Sequence, residues 1–385
     1  MGKIKKFIKD KIYNTRLLHL GNKILMESSP DFSDNAKFIY DELIKEGINN
    51  SYKIYWIVKD KKEFSDIKVK NVKFVNRNSL YYKYLIFTSK VIIDSNMFIP
   101  KRNKYQLRIY LEHGMLLKEA RKYFDDIGEY DFFTVTSDYF KDIYARDINI
   151  DPNKIICLGY PRDDYLKKDY DVFFPEIKRK KTIIWMPTYR NHKLSTSLHT
   201  GINFEYGIPC ISNEEELKTL NKKLADNNIL LLIKLHPAED TSKISNVDLS
   251  HIKIVDNNVV SKKHKNIYDY LLGIDALITD YSSIFYDFLI TERKIGLAIP
   301  DIDEFFTYET LAFPKYEDYI KGFYIKKFSD LLDYIDYVNS GSDPLKKERL
   351  ATIPIFMKYN DCNSSKRFVE FLLKQLGGKK HEKWD

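Results

Sequence analysis

One stretch of the chain indicates its fold: Ala276-Leu-Ile-Thr-Asp-Tyr-Ser-Ser-Ile-Phe-Tyr-Asp-Phe288. Its apolar start predicts a buried strand, and the residues after Ser283 predict a helix. A strand that leads through a polar turn into a helix is typical of parallel α/β sheets. Hydroxyl groups and free backbone amides at such a turn suit a phosphate group, so Ser282 and Ser283 are predicted to hold a pyrophosphate. An ordinary helix N-cap at Asp280 or Ser282 is the alternative.

Strand-like runs alternate with helical patterns over nearly the whole chain. The predicted strands are Lys23–Met26, Tyr52–Val58, Val72–Val75, Lys90–Asp94, Leu107–Leu111, Phe132–Thr136, Lys154–Leu158, Thr182–Met186, Ile229–Leu235, Ile252–Val255, Ala276–Thr279 and Ile295–Ile299. The predicted helices are Ser33–Glu46, Ser137–Arg146, Glu214–Asp226, Ile267–Gly273, Ser283–Ile290, Asp330–Val338 and Ser364–Leu376. This alternation favours an α/β fold with two doubly wound, Rossmann-like domains that face each other across a cleft.

The charged segment Lys167–Lys181, which contains Pro175, is interpreted as the linker between these domains. The predicted organisation is a basic amphipathic segment at 1–23, a first Rossmann-like domain at 24–170, a second at 171–360, and a C-terminal helix and tail at 361–385. Residues 191–213 show no period and are expected to form a loop at the mouth of a site.

Positive charge is concentrated in the first residues. The formal net charge is +8, from 63 Lys and Arg against 55 Asp and Glu, and residues 1–23 contribute seven basic residues against Asp10 alone, or +6. Apolar residues recur there at helical spacing, beginning with Ile4, Phe7 and Ile8, as in an amphipathic helix on anionic lipid. We therefore expect peripheral attachment to the cytoplasmic face of a membrane. A basic helix that docks on the protein itself is the alternative.

Other classes of protein are disfavoured. No apolar run approaches the ~20 residues of a membrane span, and the first residues lack the pattern of a secretory signal. No basic stripe with interleaved aromatic residues recurs, so nucleic acid is not an expected partner. The scattered Cys157, Cys210 and Cys362 predict neither disulfides nor a zinc site. The oligomeric state cannot be predicted from the sequence.

Two histidines stand at the ends of predicted strands. His236 lies within Ile233-Lys-Leu-His-Pro237, where the proline stops the strand. His113 ends the other strand and is followed by Gly114 and then by Lys118. A neutral imidazole can accept a hydroxyl proton, and glycine permits close approach to a ligand. Two structural histidines are the alternative. Neither has neighbours at metal-ligand spacing, so no metal or other cofactor is expected.

Two further strand-end turns carry arginine, within Gly159-Tyr-Pro-Arg162 and Met186-Pro-Thr-Tyr-Arg190. Guanidinium groups match phosphate oxygens, and Thr188 adds a hydroxyl. Ordinary turns with solvated arginines are the alternative. The chain has no GxGxxG, GxxxxGK[ST] or GxSxG motif, which argues against a dinucleotide oxidoreductase, a P-loop NTPase and an α/β-hydrolase.

Taken in order, the motifs resemble those of the CDP-glycerol glycerophosphotransferase family of teichoic acid primases and polymerases. The motifs that carry the resemblance are Met26-Glu-Ser28, Phe32-Ser-Asp-Asn35, His113-Gly114 with Lys118, Thr136-Ser137 with Tyr139-Phe140, Gly159-Tyr-Pro-Arg162 with Asp164, Pro187-Thr-Tyr-Arg190, Leu235-His-Pro237, Leu277-Ile-Thr-Asp-Tyr-Ser-Ser283 with Asp287-Phe288, and Lys366-Arg367. The resemblance implies a GT-B fold and metal-independent transfer of glycerol phosphate, or another polyol phosphate, from CDP-glycerol or CDP-ribitol. The implied acceptor is a hydroxyl of a lipid-linked glycopolymer in teichoic acid or capsule synthesis, and CMP is released.

The resemblance also implies roles for single residues. His113 would be the general base, and His236 would stabilise charge on the pyrophosphate or assist the leaving CMP. The implied donor-binding residues, on the second domain and nearby, are Arg162, Thr188, Arg190, Ser282, Ser283 and Asp287. The acceptor-side residues, around the first domain, are Glu112, Gly114 and Lys118. Family members usually have Trp where this chain has Glu112, so the acceptor side is expected to differ here. A GT-B glycosyltransferase that uses a nucleotide sugar, and a non-catalytic membrane-associated binding subunit, are the alternatives.

Overall fold

The structure is a computed structural model that describes residues 13, 19–95, 99–117, 129–148, 150–188, 204–235, 242–260, 264–308 and 310–377. The described residues belong to two compact units, one drawn from 1–113, 124–167 and 358–385 and the other from 114–123 and 168–357. The chain passes into the second unit between Lys167 and Lys168, at the start of the segment interpreted as a linker.

The first unit is a parallel sheet with helices. Its strands are β1 (Gly21–Glu27), β2 (Lys53–Val58), β3 (Val72–Asn76), β4 (Ser89–Asp94), β5 (Leu107–Leu111), β6 (Phe132–Val135) and β7 (Ile155–Cys157), in the spatial order β3-β2-β1-β4-β5-β6-β7. Its helices are α1 (Asp34–Lys45), α2 (Leu80–Thr88), α3 (Asp138–Asp147) and, from the end of the chain, α13 (Ser364–Gln375). The strand predictions for this region are confirmed to within two residues. Helix α2 was not predicted, because its tyrosines and β-branched residues are weak helix formers without a clear period.

The second unit repeats this plan. Its strands are β8 (Lys181–Trp185), β9 (Ile229–Ile233), β10 (Ile252–Ile254), β11 (Ala276–Thr279), β12 (Lys294–Ala298) and β13 (Phe323–Ile325), in the order β10-β9-β8-β11-β12-β13. Its helices are α4 (Glu214–Asp226), α5 (Ser242–Ser245), α6 (Asn257–Val260), α7 (Ile284–Leu289), α8 (Ile302–Tyr308), α9 (Tyr316–Tyr319), α10 (Phe328–Asn339), α11 (Lys346–Leu350) and α12 (Ile353–Phe356). The strand pairs are parallel throughout, as predicted.

One helix prediction was wrong. Residues 267–273 form two separate 3-10 turns, Ile267–Asp269 and Leu271–Gly273, instead of an α-helix. Asn266 accepts a hydrogen bond from the Tyr268 amide, and Asp269 accepts one from the Asn266 amide. These two side chains close a tight turn and compete with a longer helix.

The strand order determines where ligands can bind. In each sheet the first strand lies next to the fourth, β1 beside β4 and β8 beside β11. The strands that follow each member of this central pair are therefore added on opposite sides of it. Ligands of doubly wound sheets bind at this reversal, at the end of the sheet where the parallel strands finish. We call this end the carboxyl edge.

The strands are apolar because helices cover the sheets. Every residue of β9, Ile-Leu-Leu-Leu-Ile, is fully buried, as expected of a central parallel strand. The first unit also contains one fully buried ion pair between β4 and β5. Asp94 accepts hydrogen bonds from Arg108 Nε and Nη2, at 3.1 and 2.8 Å, and from the Ile99 amide at 2.8 Å. This pair fixes β5, which leads to Glu112 and His113.

We expect the substitution Arg108→Met to destabilise the first unit by about 3–5 kcal/mol, because it leaves the Asp94 carboxylate buried without its cation. The matched control is Lys45→Met, which breaks the surface pair with Glu42 and should cost about 1 kcal/mol or less. Urea unfolding with hydrogen exchange on β4 and β5 measures both. Equal losses would contradict the role given to the buried pair.

Candidate functional site

The first unit places Glu112 and His113 directly after β5, at the carboxyl edge. The Glu112 side chain is 1% exposed, whereas the His113 side chain is 48% exposed. Glu112 Oε1 accepts a hydrogen bond from the His113 amide at 2.9 Å and lies 3.4 Å from His113 Nδ1. The structure therefore combines a half-exposed imidazole with a buried carboxylate, an arrangement that can orient a general base.

Side chains from the start of α1 and from the turn that contains Arg162 hold the backbone of this pair. Asn35 Nδ2 donates to the Glu112 carbonyl at 2.7 Å, and Asn35 Oδ1 accepts from the Arg162 amide at 3.1 Å. Arg162 Nη1 donates to the His113 carbonyl and, at 2.8 Å, to Asp34 Oδ1. Both carbonyl groups that flank the base are thus fixed by buried side chains.

This geometry gives Arg162 structural contacts within the first unit, and its role as a donor-binding residue stays a prediction. Its side chain is only 3% exposed and is paired with Asp34, so within the first unit it is not presented to a ligand. Arg162 holds the His113 carbonyl. The sequence did contain a signal for this network, since Phe32-Ser-Asp-Asn35 also follows a strand, but its partners could not be read from spacing.

The other residues of the Gly159-Tyr-Pro-Arg162 turn are structural too. Gly159 has a φ of +78°, and a Cβ there would lie 2.5 Å from Ser364 Oγ. Asp164 accepts hydrogen bonds from the amides of Ser364 and Ser365, at 2.9 and 2.8 Å. The turn therefore fastens the first residues of α13 to the first unit.

The second unit joins two strand ends at its own reversal point, between β8 and β11. Thr188, after β8, donates its hydroxyl to Asp280 Oδ1 at 2.6 Å and its amide to both carboxylate oxygens at 2.9 and 3.0 Å. Asp280 also accepts from the Tyr281 amide at 2.6 Å and is fully buried. The only hydroxyl proton of Thr188 is thus used by Asp280. A direct bond from this hydroxyl to a donor phosphate, which the sequence predicted, would require that contact to break.

The neighbouring residues of the same turn also face inward. Thr279 donates its hydroxyl to the Met186 carbonyl at 2.9 Å. Tyr281 is buried, stacks on Phe305 with ring centroids 3.7 Å apart, and donates its hydroxyl to Asp301 at 3.0 Å. The turn is therefore held rigidly before α7 begins.

Ser282 and Ser283 differ from the residues before them. Both are partly exposed, and within the described part of the chain neither hydroxyl makes a hydrogen bond. Gly114, in the same unit, lies against Ser283: a Cβ at position 114 would be 2.6 Å from Ser283 Oγ and 3.1 Å from its Cβ. Glycine is thus required at position 114 for this close approach. The serine hydroxyls remain able to contact phosphate oxygens.

Lys234 is a candidate that the sequence interpretation passed over. It follows β9, which lies beside β8, and its amide donates to the Trp185 carbonyl at 2.9 Å. Burial lowers the pKa of its ammonium group, while Asp256 opposes that shift. The strand-end position of Lys234, two residues before His236, was the available signal.

Several predicted site residues cannot be placed. His236, Arg190 and Lys118 lie outside the described residues, as do most of 1–23 and the part of the predicted loop at 191–203. Asp287 is described, lies on α7 and is 1% exposed, and its contact with a donor hydroxyl stays a prediction.

Two kinds of feature are absent from the described residues. No group of three or more His, Cys, Asp or Glu residues is arranged to hold a metal ion. No described helix is long and apolar enough to span a bilayer.

Known proteins resemble this chain over most of its length. It is 24% identical over 393 residues to the teichoic acid ribitol-phosphate polymerase TarK of Staphylococcus aureus (strain NCTC 8325 / PS 47), across 96% of this chain and 72% of that protein. It is 25% identical to the teichoic acid glycerol-phosphate primase of Bacillus subtilis (strain 168), across 75% of this chain and 74% of that protein. The chain thus spans about two thirds to three quarters of the length of these two relatives and of the ribitol-phosphate polymerase TarL of Staphylococcus aureus.

The fold is also that of a solved structure. The wall teichoic acid polymerase TagF superposes with a TM-score of 0.71 at 20% identity, across 98% of this chain and 96% of that one. A family model described as CDP-Glycerol:Poly(glycerophosphate) glycerophosphotransferase matches residues 12–374. Since this match covers nearly the whole chain, the protein belongs to the CDP-glycerol:poly(glycerophosphate) glycerophosphotransferase family.

Proposed function

We propose that the protein transfers a polyol phosphate from CDP-glycerol or CDP-ribitol to a hydroxyl group of a lipid-linked glycopolymer and releases CMP. The observation that carries the proposal is the family match over residues 12–374, together with relatives named for glycerol-phosphate and ribitol-phosphate transfer. A GT-B arrangement of the two domains, a role in teichoic acid or capsule synthesis and independence of metal ions are parts of the proposal.

The second unit offers groups that suit a diphosphate. Lys234, Thr188 and the pair Ser282-Ser283 follow the adjacent strands β9, β8 and β11, so they share one carboxyl edge. The serine hydroxyls and the Lys234 ammonium are the contacts, and the tie between Thr188 and Asp280 holds the strand ends at a fixed spacing. His236 and Arg190 are assigned to the same donor diphosphate from their strand-end sequence positions.

The reaction is a single in-line displacement. The acceptor oxygen forms a bond to the β-phosphorus while its proton passes to His113 Nε2. The bond between this phosphorus and the bridging oxygen breaks, and its electron pair leaves with CMP. Phosphoryl transfer depends mainly on positioning and on stabilisation of charge on the phosphoryl oxygens, so fixed cationic and hydroxyl groups supply most of the rate.

The purified protein should release CMP from CDP-glycerol or CDP-ribitol only when a glycopolymer acceptor is present, and it should do so in EDTA. Replacing the base in His113→Asn should lower kcat by about 10²- to 10⁴-fold, because the acceptor proton then has no positioned base. Quantifying CMP by chromatography measures both effects.

The matched control is His251→Asn, which changes a partly exposed histidine just before β10, at the end of that strand opposite the carboxyl edge, and should keep normal turnover. If neither CDP donor gave CMP release but a nucleotide sugar was turned over, sugar transfer would replace the proposal. Silence with every donor would favour a binding subunit. Near-normal turnover by His113→Asn would remove His113 from the mechanism.

The lowered pKa of Lys234 predicts a pH effect on donor binding. Burial favours the neutral amine, so the charge is lost at a lower pH than in an exposed lysine, and the KM for the CDP donor should rise as the pH increases towards that value. Lys234→Arg keeps its charge because guanidinium does not deprotonate in proteins, and it should flatten the rise. Lys222→Arg, at an exposed lysine of the same unit, is the control. Identical alkaline profiles for all three proteins would contradict the contact.

Attachment to the cytoplasmic face of an anionic membrane through residues 1–23 is part of the proposed function, because the acceptor is lipid-linked. Replacing Lys3, Lys5, Lys6, Lys9 and Lys11 by serine should weaken binding to phosphatidylglycerol vesicles at least about 100-fold, since each lysine contributes about 1 kcal/mol. Vesicle flotation measures this loss. The control replaces five exposed lysines of the first unit, Lys61, Lys62, Lys68, Lys70 and Lys73. Equal loss in both variants would mean that only total charge matters.

A further inference from the structure

Glu112 is a carboxylate in a place that usually disfavours charge. It follows β5 at the carboxyl edge and is 1% exposed. Burying a carboxylate costs free energy unless hydrogen bonds compensate for the lost water. The compensation that the structure gives comes first from the neighbouring residue, because Glu112 Oε1 accepts the His113 amide proton at 2.9 Å.

Buried tyrosines line the pocket around this carboxylate. Tyr110 and Tyr144 are fully buried, and Tyr160 is 1% exposed. Burial, and after it the charge of Glu112, raises the pKa of both Tyr110 and Tyr144 well above the usual range, so these two phenols keep their protons. The charged groups that act on Tyr110 besides Glu112 are Asp94, Glu27 and Arg108. Glu112 thus has polar but uncharged phenol neighbours, one of which, Tyr144, lies within hydrogen-bonding reach of the carboxylate, and the His113 ring lies beside its Oε1.

The backbone cannot move to change this relation. Asn35 holds the Glu112 carbonyl and Arg162 holds the His113 carbonyl, so the peptide between the carboxylate and the imidazole is fixed at both ends. With Oε1 already 3.4 Å from Nδ1, a small rotation of the half-exposed ring brings the two atoms to hydrogen-bond distance. The same ring position leaves Nε2 away from the carboxylate.

We propose that Glu112 is a positioning residue for His113. Its buried carboxylate accepts a hydrogen bond from the Nδ1–H group and so keeps the imidazole in the tautomer whose Nε2 is the base. In neutral imidazole one nitrogen carries the proton and the other accepts, and the partner of the first decides which is which. Glu112 forms no bond to substrate and gains no proton in the reaction. The inference rests on the proposed function only for the identity of the acceptor hydroxyl that loses its proton to Nε2.

The test is the tautomer of His113 in the full-length protein labelled with 15N-histidine, with no donor or acceptor present. The His113 signals are identified by their absence from the spectrum of His113→Asn. In the unsubstituted protein Nδ1 should carry the proton and Nε2 should have the shift of an unprotonated nitrogen. Glu112→Ala should move the population towards the Nε2-protonated form, and Glu112→Gln, which keeps an acceptor of the same shape, should move it less.

The matched control is Glu27→Gln, which alters another buried carboxylate at the end of β1, paired with Arg77, and should leave the His113 tautomer unchanged. In the CMP-release assay, Glu112→Ala should lower kcat about 10- to 100-fold with the donor KM unchanged, the usual size of an effect on a residue that orients a histidine. Should Glu112→Ala fail to fold, the unsubstituted protein and Glu112→Gln still give the tautomer comparison.

An Nε2-protonated His113 in the unsubstituted protein would overturn the inference, as would a tautomer that ignores both Glu112 substitutions. Because this readout needs no turnover, it separates the two proposals. An Nδ1-protonated His113 in a protein that releases no CMP would leave the positioning role standing while the proposed function fails.

Discussion

A carboxylate with no access to water must accept hydrogen bonds from protein donors. Asp280 accepts them from residues at the ends of two strands. It accepts the amide and hydroxyl of Thr188 from the end of β8 and the amide of Tyr281 from its own turn. Hydrogen bonds to charged groups contribute about 1.5–3 kcal/mol each, and an unsatisfied buried charge costs more. The hydrogen bonds that the Asp280 carboxylate accepts therefore set the spacing between β8 and β11 at the carboxyl edge.

The first unit reaches a comparable result with different chemistry. There the groups being held are backbone carbonyls, those of Glu112 and His113, and the holding groups are the side chains of Asn35 and Arg162. Ends of strands lack the regular partners of a sheet, and buried polar backbone groups must find others. Residues that look like ligands for a substrate are used in both units to keep the ends of strands in place. Among the described candidates, Ser282, Ser283, Lys234 and His113 are at least partly exposed.

This division shows how far the sequence could be interpreted. Strands such as β9 and β11 were predictable because a continuous apolar run of three to five residues between polar turns suits a buried strand and is too short for a buried helix. Candidate site residues were predictable as positions at strand ends, and His113 with Gly114 belongs to that group. The sequence could not show which group would accept the hydroxyl proton of Thr188, or which residues would bury the guanidinium group of Arg162. These outcomes depend on tertiary contacts, and Arg162 and Asp34 are more than a hundred positions apart in the sequence. Glu112 could not be interpreted from the sequence alone either. Its sequence position marked it as unusual, but the positioning role proposed for it depends on its distance to His113.

Helix α13 carries a consequence for how the protein is made. It supplies Phe368, Val369 and Leu372 to the same apolar core as β1 and α1, although it follows the second unit in the sequence. The first unit therefore cannot complete its core when its own strands have been synthesised, and it waits with an exposed apolar face while the whole second unit emerges. Translation thus imposes an order in which the first unit completes its core only after the second unit has been synthesised.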